Sequence, residues 1–278
     1  MSRLSDEPPR VGTAVLIAQL SDPHVRARGV LYQGVTDSNQ AFADAIEHVM
    51  ALDRRPDLML LTGDLVDSGE PGEYAALREI LAGFPIPFLV IPGNHDDREN
   101  LRDAFADHAY LPSEGPLHYC VDDYPVRIIG LDSTVPGLHH GHIDDAGLDW
   151  LTATLSADTT KPTLLMLHHP PFACGIPYLD EYRYLDGAAL GSVVKRFDNI
   201  EIVLCGHVHR AMLTRWANTV VGSCPSTATE IALRLTPSAQ PASHIGPKAA
   251  MLHLWTEHDG LVSHTSQIGD FDGPYPFA

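Results

Sequence analysis

Five sets of side chains that can bind metal ions follow short apolar runs in the sequence. They are Asp22 and His24, Asp64, Asn94 and His95, His168 and His169, and His207 and His209. Imidazole, carboxylate and amide groups suit Mn, Fe, Zn or Co, and the sets contain none of the thiolates that mark structural zinc or iron–sulfur sites. Any one of these sets could be present only because its residues favour a backbone turn at the end of a strand. All five together indicate a shared metal site.

The elements that must position these residues alternate along the chain. Short runs rich in Leu, Ile and Val, each closed by Gly, Pro or Asp, predict strands buried on both faces. These runs lie within 13–24, 57–64, 87–96, 126–133, 162–170 and 200–209, and amphipathic stretches at 38–52, 72–84 and 188–197 predict helices between them. The alternation predicts a layered α/β domain, in which ligands gather beyond the C-terminal ends of the strands.

The last quarter of the chain has a different pattern. After about residue 211 no amphipathic helix is evident, and the apolar segments predict strands, with a hairpin turn at 258–260. We divide the chain into a main domain at 11–235 and a β-rich segment at 236–278. The segment completes a sheet, caps the site or forms an interface.

The overall charge limits the partners. The 278 residues carry 36 acidic and 18 basic side chains, a formal charge of −18. Such a balance repels nucleic acid and anionic membranes, so we expect neither as a partner. No apolar stretch is long enough to span a bilayer, and no secretory signal is evident at the N-terminus. The four cysteines are widely spaced, as in a reduced compartment, so we expect a cytoplasmic protein.

The order of the motifs resembles that of the calcineurin-like metallophosphoesterases. The blocks read SDPH at 21–24, TGD at 62–64, GNHD at 93–96, HHP at 168–170 and GHVH at 206–209, and they span about two thirds of the chain. The resemblance implies an α/β fold, a four-layer αββα sandwich with a C-terminal β-rich cap or oligomerisation segment. It also implies that the strands after residue 211 complete the second sheet.

The resemblance further implies two metal ions, of Mn, Fe, Zn or Co. It assigns the first to Asp22, His24, Asp64 and His209, and the second to Asp64, Asn94, His168 and His207, with Asp64 bridging. His168 is chosen because the family's ligand is the histidine two residues before the proline. His169 then lies near the substrate or behind the ligands, and Arg210 is a further candidate for substrate contact. His95 corresponds to the family's catalytic histidine that faces the scissile phosphate.

This arrangement predicts a hydrolytic mechanism. Two ions that share a carboxylate lower the pKa of a bridging water, so that hydroxide is available near neutral pH. The hydroxide would attack phosphorus, while His95 bonds a phosphoryl oxygen or protonates the departing alkoxide. Gly206, just before the last two histidines, is expected to let the backbone turn close to the site.

Differences between this sequence and individual branches of the family narrow the range of possible substrates. The stretch GDLVDSG at 63–69 has Ser68 where the protein phosphatase branch has arginine. The acidic composition disfavours a nuclease, and the sequence lacks the membrane-facing segment expected of a lipid-A-pathway hydrolase. Residues 21–46, 93–97 and 205–210 look most like the bacterial class III cyclic-nucleotide and glycerophosphodiester phosphodiesterases. The resemblance implies a homo-oligomer, a dimer or larger, that hydrolyses 3′,5′-cyclic AMP or a glycerophosphodiester.

Two other functions stay open at this point. A phosphomonoesterase differs only in how the pocket meets the second ester group, and a non-catalytic scaffold is disfavoured because every expected ligand is present. Tyr178, Tyr182 and Tyr184 either stack on a nucleobase or pack within the protein. The histidine-rich stretch GLHHGH at 137–142 predicts a loop rather than a second metal site.

Overall fold

The computed structural model describes residues 14–276. Residues 11–13 of the predicted main domain and 277–278 of the C-terminal segment therefore lie outside the described residues. The helices in the described part are α1 (Ser38–Met50), α2 (Pro71–Ile80), α3 (Arg98–Ala104), α4 (Asp145–Ala157), α5 (Pro177–Asp180) and α6 (Gly187–Val194). The three predicted helices correspond to α1, α2 and α6, so these predictions are confirmed to within a few residues.

The strands form two sheets and one short hairpin. The first sheet has the order β13-β12-β1-β2-β3. Its strands are β1 (Ala14–Leu20), β2 (Leu58–Thr62), β3 (Phe88–Ile91), β12 (Lys248–Thr256) and β13 (Gly260–Ile268). Strands β1, β2 and β3 are parallel, and β12 is antiparallel to β1.

The second sheet has the order β4-β5-β6-β7-β9-β8. Its strands are β4 (Tyr119–Val121), β5 (Arg127–Leu131), β6 (Thr163–Leu167), β7 (Ile200–Cys205), β8 (Met212–Trp216) and β9 (Thr219–Ser223). Strands β5, β6, β7 and β9 are parallel, so their C-terminal ends lie at one edge. A separate hairpin pairs β10 (Glu230–Ile231) with β11 (Ser243–His244).

Three apolar clusters identify four layers. One cluster joins α1 and α2 to the first sheet, through residues such as Phe42 and Leu77. A second lies between the sheets and includes Ile17 and Ile128. The third joins the second sheet to α4 and α6. Strands whose two faces both pack need apolar residues at every position, which explains the continuous apolar runs. The predicted αββα sandwich is confirmed.

The helix α1 illustrates how the local sequence sets an element. Asp37 is its N-cap, and the carboxylate accepts a hydrogen bond from the backbone N–H of Gln40. The side chains of Phe42, Ile46 and Val49 recur at helical spacing and are buried against the first sheet. Because the cap fixes where α1 begins, it also fixes the loop that precedes it.

The C-terminal strands divide between the two sheets. Strands β8 and β9 complete the second sheet, as expected, whereas β12 and β13 join the first sheet beside β1. The expectation that all late strands join the second sheet is thus wrong for this pair. The residue pattern within a strand does not indicate which other strand it pairs with. The β12–β13 hairpin, with its predicted turn after Thr256, joins the first sheet as a unit. Among residues 14–276, no helix has the length and apolarity that a membrane crossing would need.

Candidate metal centre

The proposed ligands follow the ends of five parallel strands, three in the first sheet and two in the second. Asp22 and His24 follow β1, Asp64 follows β2, His168 follows β6, and His207 and His209 follow β7. Asn94 and His95 come after β3. Because these strands belong to both sheets, the two sheets bring their C-terminal edges together at one site.

The backbone at this site is unusual. Nine non-glycine residues in the described part have φ in the left-handed region, and five of them are proposed ligands. These five are Asp22 (φ 51°), His24 (φ 44°), Asp64 (φ 48°), His207 (φ 69°) and His209 (φ 54°). A non-glycine residue in this region costs on the order of 1–3 kcal/mol and is held there by its surroundings. Such residues concentrate at functional sites.

The first predicted ligand group is assembled as expected. Asp22, His24, Asp64 and His209 place their ligand atoms within 4.8 Å of one another, and all four are buried. The Nε2 atoms of His24 and His209 are 3.1 Å apart. Asp22 Oδ1 lies 3.4 Å from His209 Nε2, and Asp64 Oδ2 lies 3.7 Å from His24 Nε2. Two carboxylates and two imidazoles thus converge on one point.

The second group adjoins the first through Asp64. His168 Nε2 lies 3.3 Å from Asp64 Oδ2 and 4.0 Å from Asp22 Oδ1. His168 and His207 belong to a second buried cluster of ligand atoms, together with His169. Both carboxylates lie near His168, and that of Asp64 is the nearer, which suits the bridging role expected of Asp64.

Three buried atoms of the second group lack hydrogen-bond partners within the described protein. They are Asn94 Oδ1, His168 Nε2 and His207 Nε2. Leaving a buried acceptor unsatisfied costs about 1–3 kcal/mol, so such atoms are uncommon in folded proteins. All three can donate a lone pair to a divalent cation. The donor set therefore fits a metal ion at the predicted position.

Hydrogen bonds on the far side of the rings orient two of the histidines. His168 donates Nδ1–H to the carbonyl of Thr62 over 2.8 Å, and His209 donates Nδ1–H to the carbonyl of Thr229 over 2.9 Å. Each bond fixes the tautomer in which Nε2 carries the lone pair. Both imidazoles are thereby prepared to bind a cation through Nε2.

Three glycines make room for these ligands. A Cβ on Gly206 would lie 2.2 Å from Ser21 Oγ and 2.6 Å from Asp22 Oδ2. A Cβ on Gly93 would lie 2.2 Å from Asp64 Oδ1, and one on Gly63 would lie 2.4 Å from His168 Nδ1. Gly206 does not have a positive φ, whereas Gly63 does. Gly206 is thus needed for space rather than for backbone freedom.

The charges of the site favour bound cations. Burial raises the pKa of Asp22, but the neighbouring His209 outweighs it and lowers that pKa below its usual value. Burial would also raise the pKa of Asp64, but His168, His95 and His24 outweigh it and hold that pKa well below its usual value. Burial and the charge of His168 lower the pKa of His207 to about 3. Both carboxylates are therefore anionic and His207 is neutral near pH 7. Burial alone would lower the pKa of His168, but Asp64 outweighs it and raises that pKa to about 9, so a bound cation must displace the proton on its Nε2.

His95 lies at the rim, next to the ligands. Its Nδ1–H donates to the Asp67 carbonyl over 2.7 Å, and its backbone N–H donates to Asp64 Oδ1 over 2.9 Å. Burial alone would lower the pKa of His95, but Asp64, Asp67 and Asp96 outweigh it and raise that pKa. The ring is oriented, partly exposed and able to hold a proton, which is what a proton donor to a leaving group requires.

The two predicted substrate contacts are more enclosed than expected. His169 is fully buried; its Nδ1 accepts from Ser133 Oγ over 2.8 Å, and its Nε2–H donates to the His139 carbonyl over 3.2 Å. Arg210 is paired with Glu230 over 2.9 Å and donates to the carbonyl of Ile231 over 2.8 Å. In this structure His169 holds the loop of His139, and Arg210 holds the β10–β11 hairpin.

Other residues near the site were not found by sequence reasoning. The ring of Tyr32 stacks on that of His24 at 4.5 Å, and Asp67 Oδ1 lies 3.4 Å from His24 Nδ1. His139 Nδ1 lies 3.3 Å from Asn94 Nδ2. The position of Asp67, three residues after Asp64, was a usable signal. Tyr32 gave none, and the histidine-rich stretch that contains His139 predicted only a loop, because both loops meet the site only in three dimensions.

The sandwich and its strand-end ligands define a class of metal-dependent phosphoesterase. Residues 15–211 match the model of the Calcineurin-like phosphoesterase family, and the chain belongs to that family. The family resemblance drawn from the motifs is confirmed.

Several relatives share most of the chain. The probable glycerophosphodiester phosphodiesterase GpdQ of Arcobacter nitrofigilis is 36% identical over 95% of this chain and 97% of its own. The 3′,5′-cyclic adenosine monophosphate phosphodiesterase CpdA of Escherichia coli is 30% identical, over 80% of each chain. A dimetal phosphatase from Danio rerio has the same fold, with a TM-score of 0.63 over 92% of this chain and 99% of its own, at 14% identity.

Proposed function

We propose that this protein is a dinuclear metal-dependent phosphodiesterase that hydrolyses small diesters, either 3′,5′-cyclic AMP or glycerophosphodiesters. One observation carries the proposal. Two buried ligand groups meet at Asp64, and the second group holds three buried lone-pair atoms without partners in the described protein. The relative from A. nitrofigilis is named as a probable glycerophosphodiester phosphodiesterase, and the relative from E. coli as a 3′,5′-cyclic adenosine monophosphate phosphodiesterase.

The proposed ligands are those of the sequence prediction. Asp22, His24, Asp64 and His209 would hold one ion, and Asp64, Asn94, His168 and His207 the other. The ions are of Mn, Fe, Zn or Co, since the donors are imidazole, carboxylate and amide groups. When bound, they supply an activated water for attack on phosphorus and neutralise the phosphate charge.

The chain's own residues supply the remaining chemistry. His95 would protonate the departing alkoxide oxygen, because its Nδ1 is tied to the Asp67 carbonyl and its other nitrogen is available. The carboxylate of Asp96 keeps the loops of Asp64 and Asn94 in place, since it accepts hydrogen bonds from the backbone N–H groups of Leu65 and Gly93 over 3.0 and 2.8 Å.

The proposal is tested by metal content and turnover together. Purified protein is loaded in turn with Mn, Fe, Co or Zn and assayed with bis(p-nitrophenyl) phosphate. We expect up to two ions per chain, and Asp64→Ala and His207→Ala should each lower the rate by at least about 100-fold and reduce the metal content. His258→Ala is the matched control, because the His258 side chain is 93% exposed and lies away from the ligands.

Two outcomes would contradict the proposal. A protein that purifies without metal and does not bind it on addition would be a scaffold rather than an enzyme. Turnover of p-nitrophenyl phosphate far above that of the diester would identify a phosphomonoesterase.

We also propose that the protein is cytoplasmic and forms a dimer or larger homo-oligomer. The four cysteines are free, as in a reduced compartment. Large apolar side chains are exposed on the C-terminal part, among them Leu233, Leu235, Phe271 and Tyr275. Exposed apolar groups of this size are common at interfaces between chains. Light scattering should give a mass of at least two chains.

A further inference from the structure

The histidine-rich loop lies at the mouth of the metal centre. Its residue His139 is exposed, and its ring centroid is 5.9 Å from that of His95. Because an amide nitrogen can only donate, the 3.3 Å contact from Asn94 Nδ2 makes His139 Nδ1 an acceptor. Nε2, on the other side of the ring, is then the nitrogen that can donate outside the metal centre, while Asn94 Oδ1 is directed inward.

Hydrogen bonds hold this loop in one place. The carbonyl of His139 accepts from His169 Nε2, and the backbone of Gly141 bonds Arg183 over 3.2 Å and Leu185 over 2.7 Å. A Cβ on Gly141 would lie 2.5 Å from the His169 ring. The loop is therefore fixed both to the second sheet and to the segment after α5.

A row of rings continues from His139 away from the metals. The centroid of Tyr182 is 5.6 Å from that of His139, and the centroid of Tyr178 is 5.3 Å from that of Tyr182. Tyr178 is 47% exposed. By contrast, Tyr184 of the same segment is buried and its hydroxyl accepts from the Ile143 N–H. Tyr184 is thus a packing residue, whereas Tyr182 is partly exposed and Tyr178 is exposed.

The row of rings ends at a cavity of about 230 Å³. Tyr178, Ile176 and Pro177 line one side, and the neutral polar side chains of Gln33 and Gln240 lie on the rest of its wall. Among the lining residues that the structure describes, the one charged side chain is Arg234. Arg234 would repel a cationic choline or ethanolamine group, and these lining residues offer no carboxylate to offset that repulsion. A neutral ring with polar edges matches both the aromatic and the amide groups.

We propose that His139, Tyr182 and Tyr178 form the subsite for the organic group of the diester, and that this subsite takes the base of a 3′,5′-cyclic nucleotide. The inference rests on the proposed function and specifies its substrate. His139 Nε2–H contacts the phosphodiester, and the base packs against Tyr182 and Tyr178, whose rings are set edge to face at 72°, with its polar edge toward the cavity.

The test compares two substrates across ring variants. The metal-loaded enzyme is assayed with 3′,5′-cyclic AMP and with glycerophosphocholine, using Tyr182→Ala, Tyr178→Ala and the ring-retaining Tyr182→Phe and Tyr178→Phe. Loss of a stacking ring should lower kcat/KM for cyclic AMP by about tenfold, whereas the phenylalanine variants should stay within about twofold. For glycerophosphocholine every variant should stay within about twofold. Tyr275→Ala is the matched control, since Tyr275 is 74% exposed and is not part of the row.

The outcomes separate the subsite from the activity. Equal losses on both substrates, an unchanged rate with cyclic AMP, or wild-type preference for glycerophosphocholine over cyclic AMP would overturn the subsite while leaving the phosphodiesterase intact. No turnover of any diester by the wild type, including bis(p-nitrophenyl) phosphate, would overturn both. Metal content and melting temperature of each variant must match the wild type for the comparison to count as support.

Discussion

The close approach of Gly206 to the ligand loops gives the sharpest prediction. In Gly206→Ala the new methyl would lie 2.2 Å from Ser21 Oγ, 2.6 Å from Asp22 Oδ2 and 2.8 Å from the Thr62 carbonyl. The hydroxyl can rotate away, but the carboxylate and the carbonyl cannot. Asp22 accepts from the N–H of His207 over 3.0 and 3.1 Å, and the Thr62 carbonyl orients His168. Relief of the clash therefore displaces proposed ligands of both ions.

The size of the effect follows from the contacts. Overpacking of this kind costs about 1–3 kcal/mol, and about 2 kcal/mol corresponds to a fall in melting temperature of about 4–8 °C in a chain of this size. Displaced ligands should lower metal affinity by about 10- to 100-fold, as when the hydrogen-bonding partner of a ligand is lost.

The measurement is a titration of activity and bound metal with Mn(II), alongside thermal unfolding. Gly222→Ala is the matched control, because Gly222 lies in the adjacent strand β9 and its added Cβ would be 3.7 Å or more from its neighbours. Native metal affinity and melting temperature in Gly206→Ala would refute the reasoning, since they would mean that the ligand loops move freely.

Two further predictions concern residues outside the ligand set. Burial lowers the pKa of His253 to about 4, so between about pH 6.5 and pH 4 the unfolded chain binds a proton that the folded chain does not. Lowering the pH from 7 to 5 should therefore reduce the free energy of unfolding in urea by about 2 kcal/mol more in the wild type than in His253→Gln, and equal reductions would contradict this. Because Arg210 is paired with Glu230, Arg210→Met and Glu230→Gln should raise KM for bis(p-nitrophenyl) phosphate by similar factors, each below about fivefold. An effect confined to Arg210→Met would instead indicate direct contact with substrate.

The predicted strands and ligands depend on a short-range pattern. A run such as 200–205, apolar at nearly every position, requires a strand covered on both faces, and parallel strands end at a common edge. Polar residues directly after such runs, like Asp64 or His207, must therefore meet. This is why positions of the ligands could be predicted without knowledge of the loops.

Contacts between loops could not be predicted in the same way. Asn94 and His139 are 45 residues apart, and the sequence around neither residue indicates that the two are in contact. The hairpin β12–β13 likewise pairs with β1 across more than 200 residues of chain. The requirement for glycine at position 206 could not be predicted either. It arises because Ser21 and Thr62 lie against this residue, and their positions in the sequence do not reveal that contact.

The left-handed backbone at five proposed ligands limits where the substrate preference of this protein can change. Inserting or exchanging a residue near Asp22 or His207 must preserve both the φ angle and the contacts that hold it, so these loops tolerate little variation. The loops at 29–37, 135–142, 174–186 and 232–242 carry none of the proposed ligands. A library confined to the exposed positions of those loops, such as Val35, Leu138, Tyr178 and Leu233, should therefore alter the preferred diester while the metal ions are retained.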